Sequence, residues 1–534
     1  MSSLSCDSGV RISKSKVHYS DCIVLIVCVL SSGLLSYWHG LGTGWDFLDY
    51  HYYNGYAFIH QRLGFDLAPA GNWTYYNPLL DSLNYLLISS LPAKLCTFIM
   101  GAMCGFIGFF LYKISDLLFH SSDKRWVYVI FSCLIGLTAA TIWPGLGSIM
   151  NDIQSASFVM LALYLVLKYF RCKAQYAKIF IFVAGLCNGL APALKLTNSA
   201  YTISLLAIAC LYCIKDRRLM IALSLLVAGT LLAFLLVEGF WMWSLWKHFA
   251  NPFFPYFNAV FHSPYFADTN LQADPRWGAH SLMGAIRLIF ILTQVNHQVS
   301  DWWIRDWRFA AVFIGGLLAG LAALINCLRS IKSTAPNEKL MVLLQFWALA
   351  YLIWAFELGN YRFAAPLELL SGPLIVGLYA RLSAGFNWQN FGLCILTACI
   401  VSQTVYPRFN YSPYQGGAYV SVSKLPKLPA NSMIIMTAPL QSFLLPFFPA
   451  SIRFVNPNAF LSSRSGYDLS KKAMFSEHGP IYILLGDYDT DQQVYWPNWS
   501  AKTLAIYRLK VSGPCQSFTS SVAWRGPFRL CPVK

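Results

Sequence analysis

The densest run of reactive side chains in this 534-residue sequence is Gly44-Trp-Asp-Phe-Leu-Asp-Tyr-His-Tyr-Tyr53. Asp46 and Asp49 stand three apart, so in an α-helix they share a face, one turn from each other. The surrounding aromatic rings lower the local dielectric, which raises a carboxylate's proton affinity and suits a general base. The pair could also hold a divalent ion, Mg or Mn, with Asp152 as a third ligand. It could equally be two solvated charges at a helix end. His51 reads as an aromatic-belt or hydrogen-bonding residue rather than a catalyst.

The other charged candidates sit at the edges of apolar runs. Asp152, after Asn151, begins such a run; it is either a ligand for substrate or a charge that complements a helix N-terminus. Lys195 closes the Gly-rich stretch Gly185-Leu-Cys-Asn-Gly-Leu-Ala-Pro-Ala-Leu-Lys-Leu-Thr197, as a phosphate ligand or a snorkelling lysine. Small residues in that stretch would permit close helix packing. Arg305 and Arg308 lie near another boundary, and Arg362 stands between Tyr361 and Phe363. Arginine binds phosphate through two parallel N–H donors. Glu368, inside an apolar run, is a functional candidate or the partner of Arg362 in a structural ion pair.

Such groups need elements to carry them, and composition decides which. Hydrophobic residues make up 57% of the chain and charged residues 12%, against about 25% charged in soluble domains. Long uncharged runs of this kind are what a bilayer requires, roughly 20 apolar residues per helical span. The predicted fold is an α-helical polytopic membrane protein. The net charge of +16 falls mostly in short clusters between apolar runs, Arg171/Lys173/Lys178, Lys215/Arg217/Arg218 and Arg329/Lys332, as cytoplasmic loops do. No basic, aromatic-interleaved soluble module is present, so nucleic acid is not an expected partner. Arg11, Lys14 and Lys16 precede Cys22–Leu35 without a small-residue cleavage site, which predicts a retained first helix with a cytoplasmic N-terminus.

Alternating crossings from that start gives on the order of eleven spans. They cover Cys22–Leu41, Lys94–Lys113, Trp126–Trp143, Ile153–Tyr169, Ile179–Leu194, Ala200–Ile214, Leu219–Phe240, Ala310–Leu328, Leu340–Phe356, Phe363–Tyr379 and Phe391–Val405. An odd number places the tail outside, with the loop of residues 42–92 and its interfacial helices. Residues 1–405 form the transmembrane domain. Residues 406–534 form a small extracytoplasmic α/β domain, with β-type runs at Met433–Met436 and Ile481–Leu485. In an oxidising compartment Cys515 and Cys531 could close its last loop.

The first loop then shows a resemblance. Asp49-Tyr-His-Tyr-Tyr-Asn-Gly-Tyr-Ala57, Gly64 and Tyr75-Tyr-Asn-Pro-Leu79 are similar to the first loop of GT-C membrane glycosyltransferases, in the mannosyltransferase and aminoarabinose-transferase branch. Asp49 falls at the family's leading Asp; Tyr50 replaces its usual Glu and Asn77 its first Pro. The Gly-rich stretch ending at Lys195 also resembles the family's. The resemblance implies a polyprenyl-phosphate-linked sugar as donor, a lipid or glycan hydroxyl as acceptor, and transfer with inversion on the extracytoplasmic face. On that reading Asp49 is the base and Asp46 and Asp152 orient it or bind a metal. Lys195, Arg305, Arg308 and Arg362 meet the phosphate, and His51 lies near the substrate. The expected setting is the bacterial inner membrane, among its lipids, with the tail periplasmic. The rivals are a transporter or flippase of an anionic or lipid-linked solute, and a polysaccharide polymerase or ligase.

Overall fold

A computed structural model of the chain describes residues 19–169, 174–213, 217–269, 277–329, 337–407, 411–475, 479–486, 499–522 and 527–534. Arg11, Lys14, Lys16, Arg171, Lys173, Lys215 and Lys332, and the side chains of Arg217 and Arg218, lie outside the described residues.

Each predicted crossing coincides with a helix. Seven are long and apolar enough to cross a membrane: Tyr19–His39, Ala93–Phe119, Ala177–Leu194, Leu219–Phe249, Arg308–Leu328, Glu338–Leu358 and Tyr361–Leu382. The others are shorter or less apolar. Trp126–Trp143, expected as one span, is a helix only over Arg125–Leu137 and then breaks. Asp152–Tyr169, Ser199–Cys213 and Gln389–Ser402 complete the set.

Glycines set how closely these helices approach. A Cβ on Gly105 would lie 2.6 Å from the Cys28 carbonyl oxygen and from Val29 Cα, so the first helix can touch Ala93–Phe119 only where the side chain is missing. Gly185 and Gly189 do the same toward Leu226 and Thr230 on the long helix Arg217–Phe249. That is the close packing expected of the Gly-rich stretch. At one end of the bundle Lys113 pairs with Asp21 at 2.6 Å, and Arg125 pairs with Asp116. The chain leaves the first helix at the other end.

There the first loop folds into a widened helical turn, Phe47–His51, a helix Tyr52–Ile59, a single turn Gly71–Tyr75 and a helix Leu79–Ser90. Gly55 faces Asp81 and Tyr85, holding the two helices together. Strand β1, Leu41–Gly42, pairs antiparallel with β2, Tyr411–Ser412, and so ties the entry of the loop to the exit of the last helix.

The tail is a mixed sheet with helices, as the α/β expectation has it. Strands β3 (Val422–Ser423), β4 (Met433–Met436), β5 (Arg453–Val455), β6 (Ile481–Leu485), β7 (Gln516–Ser520) and β8 (Phe528–Val533) lie in the order β3-β7-β8-β6-β4-β5. The two strands legible in the sequence, β4 and β6, are parallel neighbours, Met433 opposite Ile481. Cys515 and Cys531 form a disulfide. Alternation splits the sheet between two cores. Ile434, Met436 and Leu484 pack with Phe47, Tyr50 and Tyr53 of the first loop. Met433, Ile435 and Ile483 pack with Trp241 and Phe249 of the long helix, and with Met474 of the tail helix Arg464–Phe475. Both faces are therefore covered, as all-apolar strands require.

Candidate functional site

Asp46 opens the widened turn, and the geometry of that turn decides what Asp46 meets. A turn closed by i→i+5 bonds advances roughly 80° per residue, against about 100° in an α-helix. Residues five apart then nearly superpose, and residues three apart diverge. His51 Nε2 accordingly lies 4.0 Å from Asp46 Oδ2, whereas Asp49 turns to the tail. The Asp49 carboxylate accepts a hydrogen bond from Leu440 N at 3.0 Å, and the Ser442 hydroxyl donates to the Asp49 carbonyl. The expected shared face of Asp46 and Asp49 does not form, because the turn is not α.

Three charged side chains gather around Asp46. Arg362, in the single turn Tyr361–Ala364, reaches Asp46 Oδ2 with Nη1 at 2.8 Å and Asp152 Oδ2 with Nε at 3.1 Å. Lys195, just past the end of its helix, pairs with the other Asp152 oxygen and donates to the Met150 carbonyl at 2.5 Å. The Phe363 ring lies under both cations, 5.0 Å from Arg362 and 5.5 Å from Lys195. Asp152 is aimed here because Asn151 takes a left-handed backbone, φ 64°, immediately before the helix starts. Asp46, Asp152, Lys195, Arg362 and His51 thus form one cluster from four separate stretches of chain.

Behind His51 stands a hydrogen-bond chain the sequence did not reveal. Asp81 Oδ1 lies 2.6 Å from His51 Nδ1 and accepts from Asn151 Nδ2 at 2.6 Å; Asn84 donates in turn to Asn151 at 2.7 Å. Asp81 is a single acid within the apolar segment Leu79–Ser90, which is the signal that could have found it. Asp46 Oδ2, Asp152 Oδ2 and Arg362 Nε are held by ion pairs with one another, whereas His51 Nε2 is buried with no hydrogen-bond partner. Buried polar groups seldom stay unpartnered, so His51 Nε2, facing the Asp46–Arg362 pair, marks a place for a ligand.

The field divides the two loop carboxylates. Burial pushes Asp46 up, but the charges facing it, Arg362 foremost, outweigh that and hold Asp46 below the usual carboxylate range. Burial, reinforced by the Asp46 charge, pushes Asp49 up to about 7 against the opposing Leu440 N–H.

The remaining predicted residues lie elsewhere. Arg308 is fully enclosed, donating to Asp306 at 2.9 Å, Thr404, Thr138 and the Ile135 carbonyl. Every arm of its fork is engaged, so the structure gives it a bracing place rather than a phosphate-facing one. Arg305 donates to the Gln403 carbonyl at 2.6 Å and is outside the cluster. Glu368 accepts from Thr141 and does not pair with Arg362. A further acid, Glu238, lies in the long apolar helix and accepts from Asn77, the residue standing at the resembled family's Pro.

No family model matches the sequence, and no curated protein matches it. Two solved structures of ArnT from Cupriavidus metallidurans do match in three dimensions. The one bound to undecaprenyl phosphate aligns with a TM-score of 0.51 at 12% identity, covering 96% of this chain and 98% of that one. The apo structure gives 0.53 at 12% identity with the same coverage. The chain has the ArnT fold. The likeness runs through bundle and tail together, so the resemblance read from the first loop holds for the architecture of the whole chain. This is a multi-pass integral membrane protein of the ArnT shape, and the cluster around Arg362 sits at the end of its bundle that the tail covers.

Proposed function

We propose that this protein transfers a sugar from a polyprenyl-phosphate donor to an acceptor hydroxyl on the extracytoplasmic face of the membrane. The observation that carries the reading is the buried cluster, in which two cations and two carboxylates converge beside the unpartnered His51 Nε2. The ArnT fold supports the choice of donor, since one ArnT structure holds undecaprenyl phosphate.

The leaving group of such a reaction is a phosphate that gains charge as the glycosidic bond breaks. Arg362 and Lys195 supply the compensating charge from a buried position, where it is strongest. Asp152 touches both and fixes them. Asp46 is the carboxylate that meets the incoming hydroxyl, aligning it for in-line attack and inversion. Asp49 is assigned to the tail contact, because Leu440 N already occupies its carboxylate.

The donor set does not suit a divalent ion. The Arg362 guanidinium stands between Asp46 and Asp152, where a bridging cation would sit. Among the described residues no three His, Cys, Asp or Glu are arranged to hold a metal. No step is routed through one. A flippase would need charged groups lining a route between both ends of the bundle, whereas this cluster lies at one end.

The test is release of polyprenyl phosphate by purified protein supplied with a polyprenyl-phosphate sugar and membrane glycan extract. Asp46→Asn is expected to lower turnover by at least ~10²-fold, while Asp49→Asn retains most of it. Activity lost with Asp49→Asn and kept with Asp46→Asn would reverse the assignment. Movement of intact donor across a vesicle without sugar transfer would favour the transporter.

A further inference from the structure

We propose that His51, oriented by Asp81, is the base that takes the acceptor proton, a role that rests on the transferase reading above. His51 is 5% exposed, and its two ring nitrogens have opposite surroundings. Nδ1 lies 2.6 Å from Asp81 Oδ1, an oxygen that also accepts from Asn151. A carboxylate oxygen receiving an amide N–H in this way acts as acceptor, so Nδ1 carries the proton in that bond. In the neutral ring Nε2 then presents a lone pair. Nε2 is buried without a hydrogen-bond partner and points toward Asp46 Oδ2.

The 4.0 Å between Nε2 and Asp46 Oδ2 is too long for a direct bond. A hydroxyl entering here carries one proton and donates it to the Nε2 lone pair at about 2.8 Å, with Asp46 bordering that oxygen without sharing the proton. Asp46 cannot easily serve as base itself, because Arg362 Nη1 approaches the same oxygen at 2.8 Å. The charged and titratable groups around the imidazole are Asp46 and Tyr50 on its own turn, Asp81 on the neighbouring helix, and Arg362 across Asp46.

The step balances as follows. The acceptor oxygen forms a bond to the anomeric carbon as the carbon–phosphate-oxygen bond breaks. The electron pair of that bond leaves on the polyprenyl phosphate, facing Arg362 and Lys195. The hydroxyl proton passes to His51 Nε2, the Asp81 carboxylate stabilises the resulting imidazolium, and the proton then departs to water. Asp81 is a positioning residue, since it acts through the ring.

The experiment measures polyprenyl phosphate release, donor KM and the pH profile of kcat for the wild type, His51→Gln and Asp81→Asn in detergent, with folding checked by size exclusion. His51→Gln is expected to lower kcat about 10²–10⁴-fold with donor KM unchanged, and to abolish the acidic limb of the profile. Asp81→Asn, which keeps the imidazole but allows the wrong tautomer, lowers kcat less and displaces that limb. Should His51→Gln not fold, displacement of the limb in Asp81→Asn decides the matter. Wild-type kcat in His51→Gln, an effect confined to donor KM, or an acidic limb unmoved in Asp81→Asn overturns the proposal. A wild type that releases no polyprenyl phosphate at all defeats the transferase reading instead, and the two failures are distinguishable.

Discussion

Arg362 lies beside Asp46 but not beside Asp49, and the two neighbouring acids shift in opposite directions: at Asp46 the facing charges outweigh burial, whereas at Asp49 burial prevails. The consequence for stability has a definite sign. Asp49, raised to about 7 by burial, binds its proton more tightly folded than unfolded. Its contribution is complete below the unfolded value and is lost as pH rises through 7, on the order of 4 kcal/mol in all. Asp46 has the reverse sign: its contribution is present above its unfolded value and disappears on acidification. Asp49→Asn, which keeps an acceptor for Leu440 N, is therefore expected to gain thermal stability relative to the wild type between pH 5 and pH 8. Melting curves that stay parallel across that range would remove Asp49 as the titrating group. At Arg362 a lysine cannot span both Asp46 and Asp152 with a planar fork. Arg362→Lys is expected to cost at least ~10²-fold in kcat/KM, near 3 kcal/mol of transition-state stabilisation, read in the polyprenyl phosphate assay.

Elements are held by contacts of two kinds, glycine approaches within the bundle and buried charge between loop and tail. Gly105→Leu must push the first helix away from Cys28 and Val29. A fall of several degrees in melting temperature is expected. Gly320→Leu, where nothing lies within 4 Å, serves as the neutral control; equal losses at both sites would show that helix contact is not the cause. Between loop and tail, Arg62 clasps Asp66 at 2.5 and 2.8 Å while donating to the Ala450 and Ile452 carbonyls. Asp66 also accepts from Phe454 N at 2.9 Å. Arg62→Ala leaves a buried, uncompensated acid and is expected to cost about 3–5 kcal/mol, measured as early protease cleavage of the tail. The helices were legible because a span must be long and apolar, which is a pattern of neighbours in sequence. The widened turn at Phe47–His51 was not, since its sequence also fits an α-helix. Of the tail, only β4 and β6 announced themselves as dense apolar runs. The short strands β3 and β5 owe their pairing to partners that the local sequence does not name, β7 and β4. Asp152, Lys195 and Arg362 stood out as charges at the ends of apolar runs. Asp81 does not stand out, because it lies inside the loop of residues 42–92 and not at the end of a span.

For the molecule as a whole, bundle and tail share two cores, so neither the loop chemistry nor the tail sheet is an independent unit. Two measurements follow at this scale. With Arg362 between the carboxylates, a chelator such as EDTA is expected to leave transfer unchanged, and full inhibition reversed by Mg would contradict that arrangement. Reduction of Cys515–Cys531, a link between positions 16 apart, is expected to destabilise the tail by about 3 kcal/mol. Thiol labelling should find both sulfurs unreactive until reductant is added. The contact from Leu440 to Asp49 spans 391 positions. At roughly 5–20 residues per second, a ribosome finishes the partner of that loop only after tens of seconds, when every helix is already inserted. The nascent chain therefore passes most of its synthesis with the Asp49 contact unmade, and the first loop closes on its partner only after the bundle has been translated.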